Sequence, residues 1–264
     1  MNLKLENKLA LVTGSTAGIG YAIALGLARE GAEVVINGRT QVRVDEAIAR
    51  IKSAVPQAKL RGVAGDLGNA AGCEALVRQL PRVDILINNL GIFEAKPFDQ
   101  IPDADWLRFF EVNVMSGVRL SRAYFPEMKS RNWGRIVFIA SESSLNIPAE
   151  MIHYGMTKTA QVAVARGLAE MTRATAVTVN SILAGPTASE GVGTFVAQLA
   201  RDRGVAPAQV EKDFFESARP SSLIKRFIQP DEIASAVVFV CSPAAAAING
   251  SALRVEGGCV TSAF

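Results

Sequence analysis

Histidine is almost missing from this 264-residue chain, with His153 the only one, and no C-x-x-C pair relates the three cysteines Cys73, Cys241 and Cys259. An odd number of scattered cysteines suits a reducing compartment better than a disulfide framework, and it marks them as small buried hydrophobes. No metal is expected. Positive charge is also scarce as a feature. The 28 Lys and Arg against 25 Asp and Glu leave only +3, and no basic run exceeds Lys225–Arg226, which argues against a nucleic-acid partner. The apolar run Ala236–Cys241 is too short to span a bilayer, and the opening "MNLKLENKLALVTG" mixes acidic and basic residues, unlike a signal peptide. The expected setting is cytoplasmic, with no membrane partner.

What is present is abundant apolar sequence, 49% hydrophobic against 20% charged, in a regular alternation. Short β-branched runs at 9–13, 33–37, 59–64, 83–88, 135–140, 176–182 and 252–256 alternate with helical patterns near 18–30, 41–54, 69–80, 103–128, 152–173 and 230–242. Strands separated by crossover-length helices predict a single α/β domain over 1–264: a doubly wound (Rossmann) seven-stranded parallel sheet with helices on both faces. The segment 187–229 departs from the rhythm, with Gly191, Gly193, Gly204, Pro207 and Pro220 around two short amphipathic stretches, and reads as a substrate lid or a surface insertion.

"TGSTAGIG" follows the first strand, with Gly14, Gly18 and Gly20, and opens into the helical run "YAIALGLARE". Glycines there let the backbone turn and approach a ligand, while the helix offers open N–H groups to a pyrophosphate. After the second strand, "VVINGRT" puts Asn37 or Gly38 where NAD sites carry an acid, followed by Arg39. This favours NADP(H) over NAD(H), because arginine pairs with a 2′-phosphate.

"HYGMTK" sets Tyr154 and Lys158 one helical turn apart. A lysine beside a tyrosine stabilises phenolate and lowers the phenol's pKa, so that Tyr154 exchanges a proton with a carbonyl or alcohol oxygen. Ser141, at the end of "RIVFIA", lies where open α/β sheets place their ligands. His153 reads as a pocket neighbour or surface residue, and Arg219, Lys225 and Arg226 as solvated charges.

With "TGSTAGIG", "NNLG" (88–91), Asn113, Ser141 and "YGMTK" in this order, the chain resembles the short-chain dehydrogenase/reductase family in its single-domain form, and is similar to its 3-oxoacyl reductases. The resemblance implies a catalytic set of Asn113, Ser141, Tyr154 and Lys158. Asn113 would hold a proton-relay water, and Lys158 would reach the nicotinamide ribose. It implies cofactor contacts at Gly14, Ser15, Thr16, Gly18, Ile19, Gly20, Arg39, Asp66, Leu67, Asn89, Gly91, Tyr154, Lys158, Gly185 and Thr187. Two positions depart from the family pattern: Leu90 replaces alanine in N-N-A-G, and Ala184 replaces the proline of N-x-x-x-P-G. The implied activity is NADP(H)-dependent carbonyl reduction or alcohol oxidation of a small molecule, with a 3-oxoacyl group as the first expectation, by a homotetramer or homodimer. An epimerase or dehydratase, or a nucleotide-sensing protein without catalysis, are the rival readings.

Overall fold

The computed structural model describes residues 2–263, with Phe195 described by its backbone alone. Seven strands, β1 (Leu9–Val12), β2 (Glu33–Gly38), β3 (Lys59–Ala64), β4 (Ile85–Asn88), β5 (Gly134–Ser141), β6 (Val177–Ala184) and β7 (Ala252–Val255), form one parallel sheet in the order β3-β2-β1-β4-β5-β6-β7. Every strand pairs in parallel, so each return runs through a crossover on one face or the other.

The pleat sorts alternate residues to two cores. Val12, Val34 and Ile36 face α1 (Gly18–Arg29), α2 (Gln41–Ala54) and α9 (Pro230–Cys241). Leu11, Val35 and Leu86 face α3 (Ala70–Gln79), α5 (Ser116–Ser130) and α6 (Ile152–Glu170). Local chemistry marks the helix starts. Asn69 accepts from the Gly72 N–H to cap α3, and Gln229 with Glu232 forms a capping box around Pro230 at the head of α9. The three cysteines are buried and free. Among the described residues no helix is long and apolar enough to cross a membrane, and no cluster could hold a metal ion.

The helix expected across 103–128 is interrupted. It divides into α4 (Asp103–Phe110), a π-helical turn over Glu111–Met115, and α5. Such wide turns insert one residue and redirect a side chain; here the redirected residue is the fully buried Asn113. The segment 187–229 also holds more structure than its weak rhythm suggests. It forms α7 (Glu190–Arg203) and α8 (Pro207–Ser217), with Phe214, Phe215 and Phe227 in a mutual aromatic cluster and Phe215 buried.

Candidate active site

Strand order reverses between β1 and β4, and the crevice beyond their C-terminal ends is where this architecture binds ligands. The glycine loop crosses that crevice. Gly14 and Gly18 adopt φ of 60° and 55°, the left-handed region. A Cβ on Gly20 would lie 2.4 Å from Asn89 Nδ2 and 2.5 Å from the Gly14 oxygen, so the helix meets the strand only with glycine there. Ala17 supplies no side-chain cap, which leaves the first N–H groups of α1 open to an anion. This cradle fits a dinucleotide pyrophosphate.

Polar side chains hold the loop from beneath. The Gly14 N–H donates to Asn37 Oδ1 at 3.1 Å, and Asn37 Nδ2 donates to the Val63 and Gly65 carbonyls. Asn37 therefore belongs to the fold rather than to a ribose. Ser15 is fully buried; its hydroxyl donates to the Val12 carbonyl and its N–H to the Asn37 carbonyl, so it shapes the loop without a free group for a ligand. Asn89 ties in β4, its Nδ2 donating to the Thr13 carbonyl at 2.8 Å. Thr16 closes the far side: a Cβ on Gly38 would come within 2.5 Å of Thr16 Cγ2. Arg39 is exposed, and Thr16 also lines a second crevice with Arg43, Glu46, Arg50 and Glu190.

Ser141, Tyr154 and Lys158 converge on a cavity of about 610 Å³ that also opens on Ile19, Asn89 and Gly91 of the cofactor crevice. Ser141 ends β5, which is buried along its whole length, while Tyr154 and Lys158 occupy the first two turns of α6. Lys158 is buried and donates from Nζ to the Ile139 carbonyl at 2.9 Å and to Gln161 Oε1 at 3.1 Å. Burial pushes its ammonium down to about 8.

Tyr154 behaves differently from the sequence-based expectation. Burial pushes its phenol above the usual range and the Glu142 carboxylate adds to this, whereas Ser141 and Arg219 pull the other way. Lys158 Nζ sits over the Tyr154 ring, 5.6 Å from its centroid. In the folded chain alone, burial outweighs the charges around the phenol.

Asn113 is placed with this group through a network. Its Oδ1 accepts from the Ile92 N–H at 2.7 Å, and its Nδ2 donates to the Ile92 carbonyl and to Thr157 Oγ1, each at 3.0 Å. Its own carbonyl accepts from Gln161 Nε2 at 2.6 Å. Gln161 thus bridges Asn113 and Lys158 directly, along the line where the family resemblance implied a water.

The outer positions sort by reach. Gly91 approaches Lys158, a Cβ there lying 3.4 Å from Nζ. Gly185 packs on the Glu256 backbone, and Thr187 donates to the Gly185 carbonyl, so this loop lies against the cavity that both residues line. Ala184 continues the ladder between Ser141 and Val255. Asp66 is exposed and accepts from the Gly68 N–H at 3.0 Å, whereas the Leu67 side chain is buried in the core. His153 is neither at the surface nor on the cavity wall. It is buried against Phe109, with ring centroids 4.1 Å apart, and burial lowers its pKa.

Arg219 is likewise not a solvated charge. It reaches from beyond α8 to Glu142, Nε to Oε1 at 2.8 Å, with Glu150 at 3.5 Å. Burial opposes its charge, but the two carboxylates hold the guanidinium protonated. The sequence holds one signal for Glu142, a carboxylate directly after the strand-ending Ser141 of a mostly apolar run, and none for its distant partner.

Comparison with known proteins agrees with this fold. The family model for short chain dehydrogenases matches residues 8–200. The chain is 49% identical over 264 residues to YvaG of Bacillus subtilis, an uncharacterised oxidoreductase, with each chain covered in full. It is 32% identical to D-beta-hydroxybutyrate dehydrogenase of Cupriavidus necator, covering 97% of this chain and 99% of that one. Among solved structures, L-sorbose reductase of Gluconobacter frateurii, complexed with NADPH and L-sorbose, superposes with a TM-score of 0.92 at 30% identity, over 99% of this chain and all of that one.

Proposed function

The chain belongs to the short-chain dehydrogenase/reductase family, and from that premise we propose that it is an NADP(H)-dependent oxidoreductase acting on a carbonyl or secondary alcohol. The observation that carries this reading is the convergence of Ser141, Tyr154 and Lys158 on a cavity continuous with the glycine loop. When bound, a nicotinamide would supply the hydride for a carbonyl carbon, or take one from an alcohol. The chain's part is to hold the reacting oxygen near Ser141 and to move one proton between that oxygen and Tyr154. Gly14, Thr16, Gly18 and Ile19 would hold the pyrophosphate, Lys158 the ribose, and Gly185 and Thr187 the nicotinamide end.

The NADP(H) preference is supported by the Thr16–Gly38 contact, which leaves no room for the acidic side chain that an NAD ribose uses. Arg39, exposed and without a hydrogen bond or ion pair among the described residues, is the cation for a 2′-phosphate. The superposable sorbose reductase holding NADPH agrees with this.

The cavity favours a mainly apolar substrate, since Ile92, Phe93, Val196, Leu199, Val210 and Phe214 line it. Arg219 already faces two carboxylates, so a substrate carboxylate would meet no uncommitted cation there. A neutral ketone, including a 3-oxoacyl chain, fits this lining, with 187–229 as its lid. Exposed Leu107 and Phe110 on α4 support assembly as a homodimer or homotetramer. Screening ketones and alcohols with NADPH, NADH and their oxidised forms, by nicotinamide absorbance, tests the reading; NADH preferred over NADPH, or no turnover of any carbonyl, would defeat it.

A further inference from the structure

Arg219 lines the cavity together with Ser141 and Tyr154, and its side chain is only 13% exposed. Two of its nitrogens are committed. Nε donates to Glu142 Oε1 at 2.8 Å, and Nη1 donates to the Ala218 carbonyl at 2.7 Å with Glu150 at 3.5 Å. Nη2 makes no hydrogen bond among the described residues, yet protein atoms do not enclose it. Its N–H donors are therefore open, on a group whose plane is already fixed. Glu142 holds one edge, and the Phe214 ring centroid lies 5.8 Å from the guanidinium carbon.

Glu142 decides what those donors recognise. It is buried, and its Oε2 accepts from the Ser143 N–H at 2.7 Å and from Ser143 Oγ at 2.9 Å, so the carboxylate is held in place and its charge balances the guanidinium. A substrate anion would meet a cation already paired, with a carboxylate beside it. A neutral oxygen needs only the donor. The other ion pair on the cavity wall, Arg203 with Asp213 at 3.7 Å, is about half exposed on both sides and solvated. Glu142 also adjoins Ser141, so the open donor is anchored one residue from the group that holds the reacting oxygen.

We propose that Arg219 is a specificity residue whose Nη2 donates to a second, uncharged oxygen of the substrate, a carbonyl or hydroxyl a few bonds from the reacting carbon. Glu142, by pairing with Arg219, excludes substrates that carry a carboxylate at that place. The inference rests on the carbonyl-reductase reading of the cavity and narrows it. Neutral ketones bearing such an oxygen, 3-oxo esters and thioesters among them, are favoured over hydrocarbon ketones and over keto acids.

The test measures kcat/KM with NADPH for three probes of related shape: ethyl acetoacetate, heptan-2-one, which lacks the ester oxygens, and acetoacetate, which carries a carboxylate. Ratios between probes, compared from variant to variant, remove the greater intrinsic reactivity of the ester. In Arg219→Met the ester-to-heptanone ratio is expected to fall by about tenfold or more, the worth of a hydrogen bond from a charged group. In Glu142→Gln the guanidinium loses its counter-charge, and the acetoacetate-to-ester ratio is expected to rise by about tenfold. Adding Arg219→Met to that variant removes the rise. A structural pair would lower all three rates together, and unchanged ratios overturn the proposal.

Should Arg219→Met or Glu142→Gln not fold, Arg219→Lys keeps the charge beside Glu142 without the fork, and the same fall in the ester-to-heptanone ratio is expected. An unchanged ratio there overturns the proposal equally. Turnover of none of the probes by the wild type counts against the proposed function. The role of Arg219 is then read from calorimetric binding of ethyl acetoacetate and heptan-2-one to the NADPH-loaded chain. A preference for the ester that Arg219→Met abolishes upholds it, and equal losses for both probes overturn it.

Discussion

Thr16 and Gly38 are packed face to face, so that a Cβ on Gly38 would lie 2.5 Å from Thr16 Cγ2. The glycine is there because the threonine from the facing loop occupies its side-chain space. Gly38→Asp alone is therefore expected to strain the loop, costing about 1–3 kcal/mol as overpacking does, and to weaken NADPH without improving NADH. Thr16→Ala with Gly38→Asp and Arg39→Ala relieves the clash, and preference is expected to move to NADH. Comparing kcat/KM for both cofactors across the single and triple variants checks this; an NADH-preferring Gly38→Asp single variant would refute the steric account.

Tyr154→Phe removes the hydroxyl and leaves a ring of the same shape against Phe93. Turnover is expected to fall by at least about 10²-fold, the usual effect of losing a positioned proton-transfer group, with NADPH affinity nearly unchanged. Steady-state kinetics and cofactor fluorescence read the two quantities separately. A folded variant retaining more than half the rate would remove Tyr154 from the chemistry.

Lys158 opposes folding where it must be charged. Its ammonium is pushed by burial to about 8 from 10.5, so between those values the unfolded chain holds a proton that the folded chain lacks. Stability from this group rises with pH across that window, and the full penalty applies below about 8. Lys158→Met abolishes the dependence. The melting temperature of the variant relative to wild type is expected to be highest near neutrality and to decline as pH rises toward 10, by the equivalent of a few kcal/mol. Circular-dichroism melts across that range test it, and a pH-independent difference would contradict it. The same substitution should weaken NADPH binding and turnover.

Gln161→Leu deprives the Asn113 carbonyl of one partner and Lys158 Nζ of another. Loss of stability of about 1–3 kcal/mol is expected from these buried groups. Turnover is expected to fall as well, because Lys158 keeps only the Ile139 carbonyl to orient it. Urea unfolding and kinetics measure both, and a fully active variant would show that the bridge is structural only.

The single position Asn113 separates the legible from the illegible. Its order in the chain relative to Ser141 and Tyr154 could be read, and so could the helical pattern around it. The π-helical turn that carries it could not, because apolar periodicity averages over one inserted residue. His153 shows the same limit: a lone histidine beside a catalytic tyrosine gives no hint that Trp106 and Phe109 enclose it.

Strand and helix order, the glycine loop and the Tyr154–Lys158 spacing were determined by the sequence itself, because each rests on neighbours within a few residues: alternation along a strand, backbone freedom at Gly14 and Gly18, one turn of helix. Tertiary structure alone decided which charges were buried. Arg219 and Glu142 are 77 residues apart in the chain, and their pairing exists only because the segment carrying α8 folds back over the end of β5. Asn37 and Gly14, 23 apart, and Gln161 and Asn113, 48 apart, are settled in the same way. Buried polar groups take whatever partner the packed backbone brings within hydrogen-bond reach, and that distance is a property of the fold rather than of any stretch of sequence.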